Sequence, residues 1–168
     1  MTRLTPGGTN VSPSLPPTCR RSIGRRGFAP RTGSRRGRER SKALFHSNDP
    51  RLDTNKQAAY HIVRDLLEAG HWELADKYLT ERYIQHNPNA ASGRDGVVKY
   101  FTEVRKVKPV PIPAKMKTEV VAVVAEGDLV VVAYVRALKD ATTTWFDMWR
   151  FKDGKADEHW DPATRTGP

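Results

Sequence analysis

The end of the chain constrains its fold most strongly, because two apolar-rich runs meet there at Asp153-Gly154. Asp-Gly between such runs is a strong signal for a β-hairpin with a two-residue turn. Three of the four tryptophans (Trp145, Trp149 and Trp160) lie in this hairpin, and charged side chains and a histidine stand between them. Charged groups are costly to bury among aromatic rings unless they are paired. The hairpin therefore predicts either satisfied polar groups in a core or the wall of an apolar pocket.

The register of this hairpin decides whether Asp147 and His159 share one face of the sheet. A two-residue turn places Asp147 opposite Trp160, and the aspartate and the histidine then lie on opposite faces. A three-residue loop with Gly154 in the left-handed region places Asp147 opposite His159. The sequence leaves both registers open.

Helical periodicity dominates the region before the strands. Thr54 and Gln57 have the spacing of a capping box, and Gly70 ends the first helix. A shorter second helix follows, and Ser92 caps a third helix that runs to about Val107. The apolar faces of the three helices are Ala59, Ile62, Val63, Leu66 and Leu67, then Trp72, Leu74, Ala75, Tyr78 and Leu79, then Val97, Val98, Phe101 and Val104.

The chain after the prolines at 109, 111 and 113 has the pattern of strands. A short extended segment is predicted at residues 83–88, since Pro88 disfavours helix at the preceding residue. Four further strands are predicted at about 115–125, 129–138, 142–151 and 155–161. Helices followed by an antiparallel meander indicate an α+β fold with the helices on one face of the sheet.

The net charge of +10 belongs entirely to the first 42 residues. They contain 11 of the 29 Lys and Arg residues and one of the 19 acidic residues, whereas residues 43–168 contain 18 of each sign. We therefore expect nucleic acid to bind only through this segment and without sequence specificity. Cys19 is the one cysteine, so neither an internal disulfide nor a cysteine-rich metal site can form.

Residues 1–45 are rich in Arg, Gly, Pro and Ser, so we predict a disordered basic tail. Several roles stay open. The basic run at 35–42 is suited to phosphate contacts, and the Arg- and Ser-rich composition is typical of organelle transit peptides. Arginine pairs occur in twin-arginine export signals, but no apolar run follows them here. A start codon placed too early would make the segment an extension with no role in the fold.

No run in the sequence approaches the ~20 apolar residues of a membrane span. We therefore expect no membrane partner and a cytoplasmic protein. Targeting to an organelle is the alternative if the tail is a transit peptide.

Four separated motifs resemble the SnoaL-like proteins, polyketide-cyclase relatives in the nuclear-transport-factor-2-like superfamily. The motifs are Tyr83-Ile-Gln-His-Asn-Pro88, Gly93-Arg-Asp-Gly96, Ala125-Glu-Gly-Asp-Leu-Val130, and Asp147-Met-Trp-Arg150 with Asp153-Gly-Lys155 and Glu158-His-Trp-Asp161. The resemblance spans roughly residues 52–163. It implies a domain at 46–168 in which three N-terminal helices pack in a curved, mostly antiparallel sheet, as a cone around an apolar pocket.

The resemblance also implies a function. It suggests a cofactor-free enzyme that performs aldol-type cyclisation or isomerisation on a small hydrophobic carbonyl compound. It further suggests a homodimer formed through the outer face of the sheet. A non-catalytic small-molecule-binding or dimerisation module of the same fold is the alternative.

Asp147 matches the general acid/base of the cyclases by its place in the strand before the hairpin. Trp145 and Trp149 would exclude water from its carboxylate, which suits proton transfer. A structural pair with Arg150 is the competing interpretation. We name His159 and His86 as further catalytic candidates, the first as a partner of the aspartate and the second as a pocket residue.

The predicted substrate-binding residues are aromatic. They are Tyr83, Phe101, Tyr134, Trp145, Trp149 and Trp160. We expect no metal, because His86, His159 and Asp147 lack the short spacing common among metal ligands.

Overall fold

The first helix, α1, begins four residues before the predicted cap. A computed structural model describes residues 42–166 of the chain, and in it α1 spans Pro50–His61. The Asp49 carboxylate accepts the backbone N–H groups of Arg51 and Leu52, at 2.9 and 3.1 Å, and so caps the helix. The prediction of Thr54 as cap is wrong, because its hydroxyl donates to the Pro50 carbonyl inside the first turn.

Packing also begins earlier in the chain than the predicted domain start. Phe45 lies in the range assigned to the tail, yet its side chain is fully buried. The Gln57 side chain, predicted to cap the helix, instead donates to the Phe45 carbonyl at 2.8 Å. Residues 42–45 are thus tied to α1, and the predictions for residues 1–41 lie outside the described residues.

Two helices continue as π-helix at their C-terminal ends. Helix α1 continues as a π-helical segment over Ile62–Glu68, and the chain then turns at Gly70 with a φ of 75°. A short 3₁₀ turn, Trp72–Leu74, leads into α2, Ala75–Tyr78. Helix α3, Arg94–Lys99, continues as π-helix over Tyr100–Val104.

The predicted cap of α3 is also wrong. The residue before α3 is Gly93, with a φ of 87°, and no side chain caps the helix. Ser92 instead accepts the backbone N–H of Gln85 at 3.0 Å. The hydroxyl therefore fastens the loop to the preceding strand rather than to the helix.

Five strands form one open, curved, mixed sheet, and the predicted α+β class is confirmed. The strands are β1 Leu79–Gln85, β2 Val120–Glu126, β3 Leu129–Ala137, β4 Thr142–Lys152 and β5 Lys155–Trp160. Their order is β1-β5-β4-β3-β2; β1 runs parallel to β5 and the other pairs are antiparallel. The core lies between the helices and the inner sheet face, around the fully buried Leu66, Val130 and Trp149.

The hairpin register is neither of the two predicted. Asp153 and Gly154 both have positive φ, 51° and 75°, as a two-residue turn of the predicted kind requires, and Lys152 pairs with Lys155. A bulge then follows in β5, because Phe151 pairs with Ala156 but Arg150 pairs with Glu158. Beyond the extra residue, Asp157, the ladder is shifted and Trp149 pairs with His159.

This bulge is held by the neighbouring strand β1. Thr80 donates to the buried Asp157 carboxylate at 2.7 Å, and the Arg82 guanidinium forms an ion pair with it. The hydrogen bond from Arg82 lowers the pKa of Asp157 below its ordinary value. The charge of Asp157 is therefore matched where the sheet is irregular.

Within residues 42–166, no helix is both long and apolar enough to cross a membrane.

Candidate functional site

A pocket of about 370 Å³ opens between the helices and the inner face of the sheet. This volume lies within the range of roughly 300–1,000 Å³ typical of small-molecule sites. Its apolar side comes from the helices, including both π-helical segments: Ile62, Leu66, Leu67, Trp72, Val97, Tyr100 and Phe101. Its polar side comes mainly from alternate residues of β1, β4 and β5, which share one sheet face.

Seven of the nine predicted site residues line this pocket. They are Tyr83, Phe101, Tyr134, Trp145, Asp147, Trp149 and His159. His86 and Trp160 do not line it. Their rings stack on each other, 4.7 Å between centroids, and His86 bonds to Glu158 at 2.8 Å on the opposite face of the sheet.

The centre of the polar side is the buried carboxylate of Asp147. Its Oδ2 accepts the Tyr134 hydroxyl at 2.8 Å, and its Oδ1 accepts the Trp145 indole N–H at 3.2 Å. His159 Nε2 lies 3.3 Å from the same Oδ1. Burial and the neighbouring Asp147 carboxylate raise the pKa of Tyr134, so its hydroxyl keeps its proton and acts as the donor. Arg150, the predicted structural partner of Asp147, instead pairs with Asp128 and Glu158.

The two ring nitrogens of His159 both face acceptors. Nδ1 lies 2.8 Å from Gln85 Oε1, an oxygen fixed by the backbone N–H that Asn87 donates to it at 3.0 Å. Nε2 faces Asp147. A neutral imidazole has one N–H and cannot donate on both sides. Both contacts are hydrogen bonds only if His159 and Asp147 carry one additional proton between them.

Aromatic packing fixes this pair from behind. Trp149 packs on the His159 ring at 5.2 Å between centroids and donates its indole N–H to the Tyr83 hydroxyl at 3.3 Å. Burial raises the pKa of Tyr83. The fully buried Trp149 thus restricts the imidazole to the orientation in which it meets Asp147.

Gln85, Asn87 and Asp161 lie within the recognised motifs but were not predicted as site residues. Asn87 donates to Asp161 at 2.8 Å, and both side chains line the pocket. The alternation of side chains along a strand could have identified Gln85 and Asn87. From Tyr83, an inward-facing residue, the same parity selects Gln85 and Asn87 and excludes His86.

One group of described side chains has the composition of a metal site. Asp147, His159 and Asp161 each offer one ligand atom, and these atoms lie within 4.8 Å of one another. Each of the three is already hydrogen-bonded within the protein. A cation would therefore have to displace the shared proton and compete with Tyr134 and Trp145.

Comparison with known families settles the relationship that the motifs suggested. Residues 60–159, more than half of the chain, match the family model described as a SnoaL-like domain. The chain belongs to the SnoaL-like family. No curated protein matches it.

Solved structures similar to this SnoaL-like chain include several from bacteria. A candidate polyketide cyclase from Acidithiobacillus ferrooxidans is 17% identical, with a TM-score of 0.49, over 68% of this chain and 89% of that one. A candidate SnoaL-like polyketide cyclase from Jannaschia sp. CCS1 is 18% identical, with a TM-score of 0.46, over 70% and 91%. An NTF-2-like protein of unknown function from Burkholderia xenovorans LB400 is 16% identical, with a TM-score of 0.47, over 70% and 90%.

Proposed function

We propose that this SnoaL-like protein is a cofactor-free enzyme that performs acid/base chemistry on a small hydrophobic carbonyl compound. The reaction is an aldol-type cyclisation or an isomerisation. The observation that carries the proposal is the Asp147–His159 pair, which lies in a pocket with an apolar opposite wall. Catalytic acids and bases require such positioned groups within reach of the substrate.

The contacts of this pair suggest a division of roles. Tyr134 and Trp145 both donate to Asp147, so in this proposal Asp147 is the carboxylate and His159 carries the additional proton. The Nε2 to Oδ1 distance of 3.3 Å exceeds the roughly 2.7–2.9 Å of a strong charge-assisted hydrogen bond. The bond between the two groups is therefore weak, and little is lost when a substrate competes for either of them.

The reaction then proceeds without loss or gain of protons. Asp147 takes a proton from the carbon beside the carbonyl, and His159 donates its Nε2 proton to the carbonyl oxygen, which gives an enol. In a cyclisation, the enol carbon forms a bond to a second carbonyl carbon, whose oxygen takes the proton from Asp147. The enol proton returns to His159, and both groups regain their starting state.

Exchange of α-protons tests this proposal without knowledge of the natural substrate. The protein is incubated with α-tetralone in D₂O, and deuterium at the α-carbon is followed by NMR. His159→Gln and Asp147→Asn should each slow the exchange by roughly 10²–10⁴-fold. His86→Gln is the matched control, because His86 lies outside the pocket and should leave the rate unchanged. Equal rates in all variants would contradict the proposal.

One observation favours a second function, ligand binding without turnover. Both oxygens of Asp147 already accept hydrogen bonds from protein groups. If these bonds persist when the pocket is filled, three of the roughly four acceptor sites of the carboxylate stay occupied, and it is a poor base. A ketone that binds to the wild-type protein with no catalysed exchange would support this alternative.

We also propose that the outer face of the sheet joins two copies of the chain. The cross-strand neighbours Val124, Val131 and Met148 lie beside Ala133 and Phe146 there, and Val124 and Phe146 are 62% and 50% exposed. Contiguous exposed apolar surface of this kind is typical of interfaces. Light scattering at micromolar concentration should give a dimer for the wild type and a monomer for Phe146→Glu. A monomeric wild type would contradict the interface.

A further inference from the structure

Two arginines that line the pocket distinguish it from a purely apolar one. Arg105 follows the π-helical end of α3, and Arg136 lies near the end of β3. Both side chains are exposed. Within residues 42–166, neither guanidinium has an ion pair with a carboxylate. These two cations, which we call the arginine rim, are therefore available to a ligand.

Arg136 is held in place without using its hydrogen-bond donors. Its guanidinium carbon lies 3.9 Å from the centroid of the Trp145 ring, a cation–π contact. The same indole donates to Asp147 at 3.2 Å. One aromatic side chain thus sets the position of Arg136 relative to the catalytic carboxylate. A cation–π contact uses no N–H donor, so the donors of the guanidinium stay available to a planar anion.

The charge of the pocket supports an anionic ligand. The Asp147–His159 pair is neutral overall when it shares the additional proton. Asp161 is the other carboxylate among the pocket-lining residues, and it accepts from Asn87 and from the backbone N–H of Ala163, both at 2.8 Å. With that proton in place, the two arginines exceed the remaining carboxylate by one positive charge, beside an apolar interior.

We propose that the substrate is a hydrophobic keto acid, with its carboxylate bound by the arginine rim and its carbonyl at Asp147 and His159. Arginine binds carboxylates through paired, charge-assisted hydrogen bonds, which gives orientation as well as affinity. A carboxylate held at Arg136 and an apolar body against the helices direct the remaining polar group toward the pair. The position of the carbonyl rests on the proposed function, whereas binding of the acid does not.

A matched pair of ligands tests the arginine rim. The probes are 3-benzoylpropionate and its methyl ester, which share the aryl ketone and differ in charge. Dissociation constants are measured by calorimetry for the wild type, Arg105→Gln and Arg136→Gln. Arg165→Gln is the control, because Arg165 is exposed near the pocket but does not line it.

We expect the acid to bind the wild type about tenfold more tightly than the ester, as charge-assisted hydrogen bonds at a partly open site provide. Arg105→Gln and Arg136→Gln should each weaken acid binding by about threefold, so that together they account for the tenfold preference, and should leave ester binding unchanged; Arg165→Gln should have no effect. Equal affinities for acid and ester would overturn the proposal. So would an equal loss in the Arg165→Gln control, which would indicate a general effect of charge.

The outcome is separable from that of the proposed function. Arginine-dependent acid binding without α-proton exchange would support the arginine rim and contradict catalysis. Exchange on α-tetralone with no preference for the acid would support catalysis and contradict the arginine rim.

Discussion

Replacement of Asp147 by asparagine tests the shared proton directly. The carboxylate accepts three contacts, from Tyr134, Trp145 and His159. An amide of the same shape has one acceptor oxygen and one donor NH₂ group. If the oxygen faces Tyr134, the NH₂ group can donate to a neutral His159, but it also faces the indole N–H of Trp145. If the oxygen faces Trp145, it also faces His159 Nε2. A neutral His159 that donates to this oxygen then has no proton on Nδ1 and loses its hydrogen bond to Gln85.

One hydrogen bond is therefore lost in either orientation. A buried unsatisfied donor costs about 1–3 kcal/mol, so the free energy of unfolding of Asp147→Asn should fall by that amount. Asp147→Ala leaves all three partners without an acceptor and should cost more, about 3–5 kcal/mol, as removal of one partner from a buried charged pair does. Urea denaturation of the two variants and the wild type measures both values.

The protonation of His159 provides a second, independent readout. Nitrogen-15 NMR of the ring should find protons on both nitrogens in the wild type. In Asp147→Asn a single proton should remain, on Nδ1 toward Gln85. A neutral ring in the wild type would refute the inference, and so would a doubly protonated ring in the variant.

Three further predictions concern stability and charge. In urea denaturation, Trp149→Phe should lower the free energy of unfolding by about 1–2 kcal/mol more than Trp72→Phe does. The reason is that the Trp149 indole N–H donates to Tyr83, whereas the buried Trp72 indole N–H has no partner among the described residues. Equal losses would contradict this reasoning. Arg82 lowers the pKa of Asp157, so the carboxylate stabilises the fold above its ordinary value of 3.8 and loses this effect as the pH falls through the lowered value. The stability difference between wild type and Asp157→Asn should therefore shrink in acid, and a constant difference would argue against the ion pair. Deletion of residues 1–42, which carry the net charge of +10, should abolish retention on heparin and leave the melting temperature unchanged; retention by the shortened chain would contradict the neutrality of the domain.

Local signals in the sequence predicted the elements well. The turn at Asp153-Gly154 and the strands on each side of it depend on backbone preferences of adjacent residues, and β4 and β5 begin where expected. The cap of α1 was mispredicted because Asp49 and Thr54 both have side chains able to cap, and that of α3 because the Ser92 hydroxyl bonds to Gln85 instead. Which of two possible caps is used depends on tertiary packing, and the local sequence does not reveal this packing.

The site was less predictable because it depends on contacts between distant residues. The bulge at Asp157 requires Thr80 and Arg82, which are 77 and 75 residues away in the sequence. The motif around His86 was recognised, but its pocket-facing members are Gln85 and Asn87. Arg105 and Arg136 belong to no motif, and only the folded chain brings both to the lining of one pocket.

The bulge at Asp157 sets the register in which the end of β5 pairs with β4. A strand offers alternate side chains to its two faces, so a slip of one residue exchanges both sets and no intermediate exists. With the bulge in place, His159 stands opposite Trp149; without it, the two-residue turn would bring Glu158 there and turn the histidine away. The choice between a histidine and a glutamate at this point of the pocket therefore depends on β1, whose Thr80 and Arg82 hold the bulge through Asp157.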